Sequence, residues 1–139
     1  MTEIVYNKQA GCPWTKKSVE GLLAVIGKKV KLKGGLEVNI IGASAMRRLN
    51  RQTRGKDKVT DVLSFAWQED KILKSSFLGE IYICYPRIVS QAKSFDVPVK
   101  EEFIRIFTHG ILHLAGYDHI KKKDAQKMFM LQEQIVNQI

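Results

Sequence analysis

The chain has 139 residues, is 45% hydrophobic and 27% charged, and carries a formal net charge of +9. That is enough apolar material for a single domain over residues 1–139 with one core. No stretch approaches the roughly 20 apolar residues that span a bilayer, and the N-terminus lacks the apolar run of a secretory signal, so no membrane association and a cytoplasmic location are expected.

In chain order, residues 2–6 are predicted as a short strand. Residues 15–26 carry Val19, Leu22, Leu23 and Ile26 at helical spacing, with Gly27 placed to close the helix. After Gly34 and Gly35, residues 36–41 alternate Leu, Val and Ile with Glu and Asn, as a half-buried strand does. A helix capped by Ser44 is predicted next, with Met46 and Leu49 on one side and arginines on the other. The polar stretch 51–60 reads as a loop, and 62–67 as a strand with Leu63, Phe65 and Trp67 on one face. Residues 78–85 form another strand ending before Pro86, and residues 87–95 a helix. The helix predicted over 101–115 opens with Glu101 and Glu102, which suit the positive end of its dipole. It should be largely buried, because Phe103, Ile104, Ile106, Phe107, Ile111, Leu112 and Leu114 surround much of its circumference. A last helix covers residues 121–138. With no repeat or low-complexity tract in between, an α+β layer fold is expected, with helices on a sheet of about four strands. Cys12 and Cys84 form no CxxC pair and are expected as reduced thiols.

The positive charge is localised. Residues 28–58 hold ten basic side chains against two carboxylates, Glu37 and Asp57, while the rest of the chain holds thirteen against twelve. Such an excess is the footprint of a polyanionic partner.

All three histidines lie in the run HGILHLAGYDH, residues 109–119. His109 and His113, four apart on a helix, share a face and can converge on one cation. Gly116 ends the helix, and the turn can swing His119 toward the same point. Three imidazoles with an open fourth position describe a catalytic zinc site, and such a set can also hold nickel, cobalt or iron. The spacing HxxxHxxGxxH is that of metzincin proteases, but Gly110 stands where those enzymes carry the glutamate that takes a proton from zinc-bound water. A metalloprotease is therefore disfavoured, and the basic run beside the site points to a phosphodiester substrate.

The run HGILHLAGYDH, with LNRQTRGKDKVTDVLSFAW from Leu49 and LGEIYI from Leu78, closely resembles the YbeY family of bacterial rRNA maturation factors. The three blocks occur in the same order over most of the chain; Glu80 stands where many members have aspartate. The resemblance implies a zincin-like fold in which His109, His113 and His119 hold one Zn2+, and it matches the family arginine to Arg54. It further implies a single-strand-specific, metal-dependent endoribonuclease that matures the 3′ end of small-subunit rRNA and serves ribosome quality control. The implied partners are the ribosome, a small-subunit ribosomal protein and an Era-like GTPase. The rival reading from another class is a non-catalytic ribosome-assembly factor whose zinc stiffens an rRNA-binding surface.

Among individual residues, Arg54 is the candidate to grip the scissile phosphate, because its guanidinium presents paired donors and stays charged. Asp118 is a candidate catalytic base or an orienting partner of a ligand imidazole. Arg47, Arg48, Arg51, Lys56 and Lys58 are expected to track the RNA backbone. Asp61 and Glu80 are weaker candidates to support a ligand, and Thr60 and Ser64 to line the cleft.

Overall fold

The structure is a computed structural model that describes residues 3–67, 77–117 and 121–139. Its elements run β1 (Ile4–Lys8), α1 (Lys16–Lys29), β2 (Gly35–Ile41), α2 (Ala43–Arg54), β3 (Val62–Ala66), β4 (Phe77–Cys84), α3 (Tyr85–Phe95), α4 (Val99–Leu114) and α5 (Lys122–Asn137). The four strands form one mixed sheet in the order β1-β2-β4-β3. β1, β2 and β4 are parallel, and β3 joins antiparallel to β4 with Ser64 opposite Ile81. The expected α+β architecture of helices on a mixed sheet of four strands is what the chain forms.

Local chemistry explains most boundaries. Thr15 caps α1 through a reciprocal pair: its hydroxyl accepts from the Ser18 N–H at 3.2 Å, and the Ser18 hydroxyl accepts from the Thr15 N–H at 2.8 Å. The helix does not close at Gly27. It runs to Lys29, because Val30 is buried and its N–H still reaches the Ile26 carbonyl at 2.9 Å. Gly42, rather than Ser44, caps α2. Pro86, expected to terminate a strand, instead sits in the first turn of α3, where its missing N–H costs nothing.

The two faces of the sheet are covered differently. Leu36, Val38 and Ile40 of β2 and Ile81 and Ile83 of β4 enter the main core with Val19, Leu22 and Ile26 of α1, Phe103, Phe107 and Ile111 of α4, and Met128 and Ile135 of α5. Trp14 stacks on Phe103 with ring centroids 4.3 Å apart, and Phe103 on Phe107 at 6.1 Å. On the other face, Ile41, Leu63 and Cys84 pack against Met46 of α2. Each fully buried Leu, Ile or Phe contributes about 1.5–3 kcal/mol, so α4, apolar nearly all round, is held firmly against the sheet.

Cys12 and Cys84 are free thiols, and burial pushes the Cys84 thiol up. Among the described residues no helix is long and apolar enough to cross a membrane.

Candidate metal centre

The centre is built on α4. Its 3.6-residue period stacks His109 and His113 on the strip left open by the apolar contacts, and both rings are half-buried. The rings stand edge to face, with centroids 4.7 Å apart and planes at 78°. Their Nε2 atoms are 3.1 Å apart. The other nitrogen of His109, Nδ1, lies 2.9 Å from Oε1 of Gln132 on α5.

The two described imidazole nitrogens are spaced as zinc ligands would be, and the same separation serves an N–H···N hydrogen bond between the rings. Two imidazole nitrogens bound tetrahedrally at 2.0–2.1 Å stand about 3.3 Å apart, close to the separation here. A partner on the far ring nitrogen is the usual support of a metal-bound histidine. Among the described residues, no group of three His, Cys, Asp or Glu side chains converges. Asp118, the candidate base or orienting carboxylate, and His119, the expected third ligand, lie outside the described residues. Gly116, just past the end of α4, has a φ of 98°, in keeping with the turn expected after the helix.

At Gly110, the position following His109, any side chain would press on Ile81 and Ser64. A Cβ there would lie 2.3 Å from Cδ1 of Ile81 and 3.2 Å from the Ser64 hydroxyl. The missing side chain lets α4 press against β3 and β4. We expect Gly110→Ala to lower stability by about 1–2 kcal/mol. Overpacking costs about 1–3 kcal/mol, and the better helix propensity of alanine returns up to about 1. Urea denaturation measures the difference; a stabilised variant would mean that Ile81 yields freely.

The histidines open into a cavity of about 960 Å³, at the upper end of ligand-site sizes. Its wall is shared by residues 60–66, by Arg105, His109 and His113 of α4, by Gln132, and by Asn50, Arg54, Lys56 and Lys58. Thr60 and Ser64 thus line it as anticipated. Arg54 is not in a loop: α2 continues through residues 51–54 and ends at Gly55, whose φ is 70°. The helix persists because Asn50, 2% exposed, faces inward and donates to the Lys58 carbonyl at 3.0 Å, folding the following segment back on α2.

Ser64 joins the two sides of the cavity. Its carbonyl accepts from Nη2 of Arg54 at 3.0 Å, and its hydroxyl donates to the Gly110 carbonyl at 3.3 Å. The Arg54 guanidinium also lies 5.0 Å above the Phe65 ring. Arg47, Arg48 and Arg51 do not line the cavity. Arg47 makes a two-point ion pair with Asp57 at 2.9 and 3.1 Å, and Arg51 approaches the same carboxylate at 3.6 Å. Arg47 holds the Asp57 carboxyl below the usual range.

Asp61 lines the cavity and accepts from Gln91. Glu80 lies elsewhere: it shares the opposite sheet face with Tyr82 and pairs in register with Glu37. Burial and the Glu37 contact raise its pKa, and its neighbour Tyr82 is pushed up to about 12, chiefly by burial.

Arg105, Gln132 and Glu133 were not singled out from the sequence. Arg105 reaches Glu133 at 3.0 Å, Glu102 at 3.2 Å and Glu101 at 3.5 Å. Glu133, first of these, holds the guanidinium charged well above its ordinary range. Its charge is thus matched within the protein, whereas Arg54 donates to a neutral carbonyl. The signal for Gln132 was its position: a polar residue four after Met128 and three before Ile135, on the buried stripe of α5, and 7% exposed.

The model of the family described as Endoribonuclease YbeY matches residues 5–139. The chain belongs to the YbeY family. An endoribonuclease YbeY of Persephonella marina is 39% identical over 143 residues, an alignment covering all of this chain and 94% of that protein. One from Ureaplasma urealyticum is 43% identical over 103 residues, which span 74% of this chain and 66%, just under two thirds, of its relative. Among solved structures, a solution structure of a Thermotoga maritima protein is 33% identical with a TM-score of 0.66, covering 98% of this YbeY-family chain and 87% of its own.

Proposed function

We propose that this protein is a metal-dependent endoribonuclease that cleaves single-stranded RNA, matures the 3′ end of small-subunit rRNA and serves ribosome quality control in the cytoplasm. In this reading it works at the ribosome, with a small-subunit ribosomal protein and an Era-like GTPase. Membership of the YbeY family supports the RNA-cleaving class. The observation that carries the metal dependence is the convergence of the His109 and His113 Nε2 atoms, 3.1 Å apart, in a cavity that Arg54, Lys56 and Lys58 line; the rRNA 3′ end, ribosome quality control and the named partners rest on the family resemblance alone.

His109, His113 and His119 would hold one Zn2+, which when bound supplies a Lewis acid for a phosphoryl oxygen and an acidified water. Arg54 grips the scissile phosphate with the donors that Ser64 does not use. Lys56 and Lys58 hold flanking phosphates as point charges without reading sequence. Arg47, Arg48 and Arg51, on the outer side of α2, extend this positive field to RNA beyond the cavity. Asp118 is the proposed base, since Gly110 has no side chain to serve as one.

The test is metal analysis of unsupplemented protein beside cleavage of a single-stranded RNA, repeated over a range of salt. We expect about one zinc per chain and cleavage abolished by chelation and restored by zinc. RNA affinity should fall steeply between 50 and 200 mM salt, since each neutralised phosphate releases counterions. RNA binding without cleavage in the zinc-loaded protein would favour the assembly-factor reading. A flat salt response would remove the basic face from the RNA site.

A further inference from the structure

A chain of hydrogen bonds runs from the start of β3 through three helices to His109. Gln91 of α3 donates to Asp61 at 3.3 Å and to the buried Glu102 at 3.0 Å. Arg105 donates to Glu102 at 3.2 Å and, through Nε and Nη2, to both oxygens of Glu133 at 3.0 and 3.1 Å. Gln132 donates from Nε2 to Glu133 at 3.2 Å, and its Oε1 lies 2.9 Å from Nδ1 of His109.

The oxygen and nitrogen of an amide are alike in shape, so its orientation follows from what it faces. Glu133, clamped by Arg105 and held ionised by it, offers lone pairs and no proton. The amide nitrogen of Gln132 must therefore point at Glu133, and its oxygen at His109. An oxygen can only accept, so Nδ1 of His109 must carry the proton. A neutral imidazole has one N–H, which leaves the lone pair on Nε2, the atom that faces His113. Unconstrained histidine in water prefers the opposite tautomer, with the proton on Nε2, which would block coordination there.

We propose that Gln132 is a positioning residue for the metal centre, and that Arg105 and Glu133 anchor its amide so that His109 is locked with Nδ1 protonated and Nε2 available as a ligand. This rests on the metal reading above only in taking Nε2 as the ligand atom.

The test uses the full-length, metal-free protein labelled with 15N, at about pH 8, where imidazole is neutral. Two-bond 1H–15N correlations report which ring nitrogen of His109 is protonated, and a chromophoric chelator in competition gives the zinc Kd. Wild type should show the Nδ1–H form. Gln132→Leu should shift His109 toward the Nε2–H form and weaken zinc about 10- to 100-fold, the effect of losing an outer partner. Glu133→Ala, which lets the amide turn over, should give a mixture of tautomers and a smaller loss. Gln132→Glu keeps an acceptor and should keep the Nδ1–H form.

An Nε2–H form in wild type overturns the proposal. So does a folded Gln132→Leu whose tautomer and zinc Kd are unchanged. Should Gln132→Leu fail to fold, an unchanged tautomer in Glu133→Ala overturns it instead. Wild-type protein that holds the Nδ1–H form but binds no zinc sinks the metal reading and still supports the tautomer lock, since that readout needs neither metal nor RNA.

Discussion

Replacing Arg54 with alanine should lower the rate of single-stranded RNA cleavage by at least about 100-fold while leaving zinc content at the wild-type level. The expected size is that of losing one preorganised donor to a transition-state anion, about 10²–10³ in kcat. Arg54 is suited to that role by what holds it. It is the last residue of α2, and the chain turns at Gly55, whose N–H returns to the Arg51 carbonyl at 3.1 Å. Its Nη2 is tied to Ser64 and its planar group lies over Phe65, so the guanidinium is oriented before any substrate arrives. Ser64 also holds the Gly110 carbonyl, which couples the position of Arg54 to the helix bearing the histidines. Stability should fall by no more than about 1–2 kcal/mol, the combined scale of one hydrogen bond and one exposed cation–π contact. Arg54→Lys separates charge from shape. If the paired donors matter, lysine restores only part of the rate, because a point charge cannot match two phosphate oxygens. Single-turnover cleavage with metal analysis of the same preparations measures both. Zinc lost from Arg54→Ala would show the arginine to be structural support for the centre rather than a phosphate ligand.

The elements that were legible in the sequence are those whose signal is local and periodic. Val19, Leu22, Leu23 and Ile26 read as one helical stripe, and all four are buried. The apolar girdle of α4 likewise implied a buried helix with one open strip, and that strip carries His109 and His113. What was not legible depends on contacts between distant segments. Residues 51–54 look like loop because they are polar, yet they stay helical because Asn50 is held by the Lys58 carbonyl. Gly27 looks like a stop, but the burial of Val30 carries α1 past it. The insertion of β4 between β2 and β3 leaves no local trace either. Gln132 stood on an apolar stripe where its polarity marked it, but its partner His109 lies 23 residues away on another helix. Glu80 seemed a candidate because of its acidity alone, and strand alternation sends it to the other face of the sheet.

The second large effect belongs to His113→Ala, which should abolish zinc binding and RNA cleavage together while the chain stays folded. Removal of a direct ligand should cost more than the roughly 10- to 100-fold that follows loss of an outer partner, so zinc should be absent after purification and not retained on titration. His113 is the better site for this test than His109. Truncating His109 would strand the Gln132 oxygen in a position that is 7% exposed, and an unpaired buried acceptor costs about 1–3 kcal/mol. Loss of function at His109 would then mix instability with loss of the metal. At His113 the ring is half-buried, and its removal leaves the Arg105, Glu133 and Gln132 chain intact. Urea denaturation of metal-free protein should show a smaller loss of stability in His113→Ala than in His109→Ala, although the contact of His113 with His109 is lost. The comparison with Arg54→Ala fixes the division of labour: one variant loses zinc and cleavage, the other cleavage alone. A folded His113→Ala protein that still supports complete rRNA processing would defeat the enzymatic reading and leave the cavity as an RNA-docking surface. Cleavage retained with no zinc present would instead mean that Arg54 and its neighbours act without the metal.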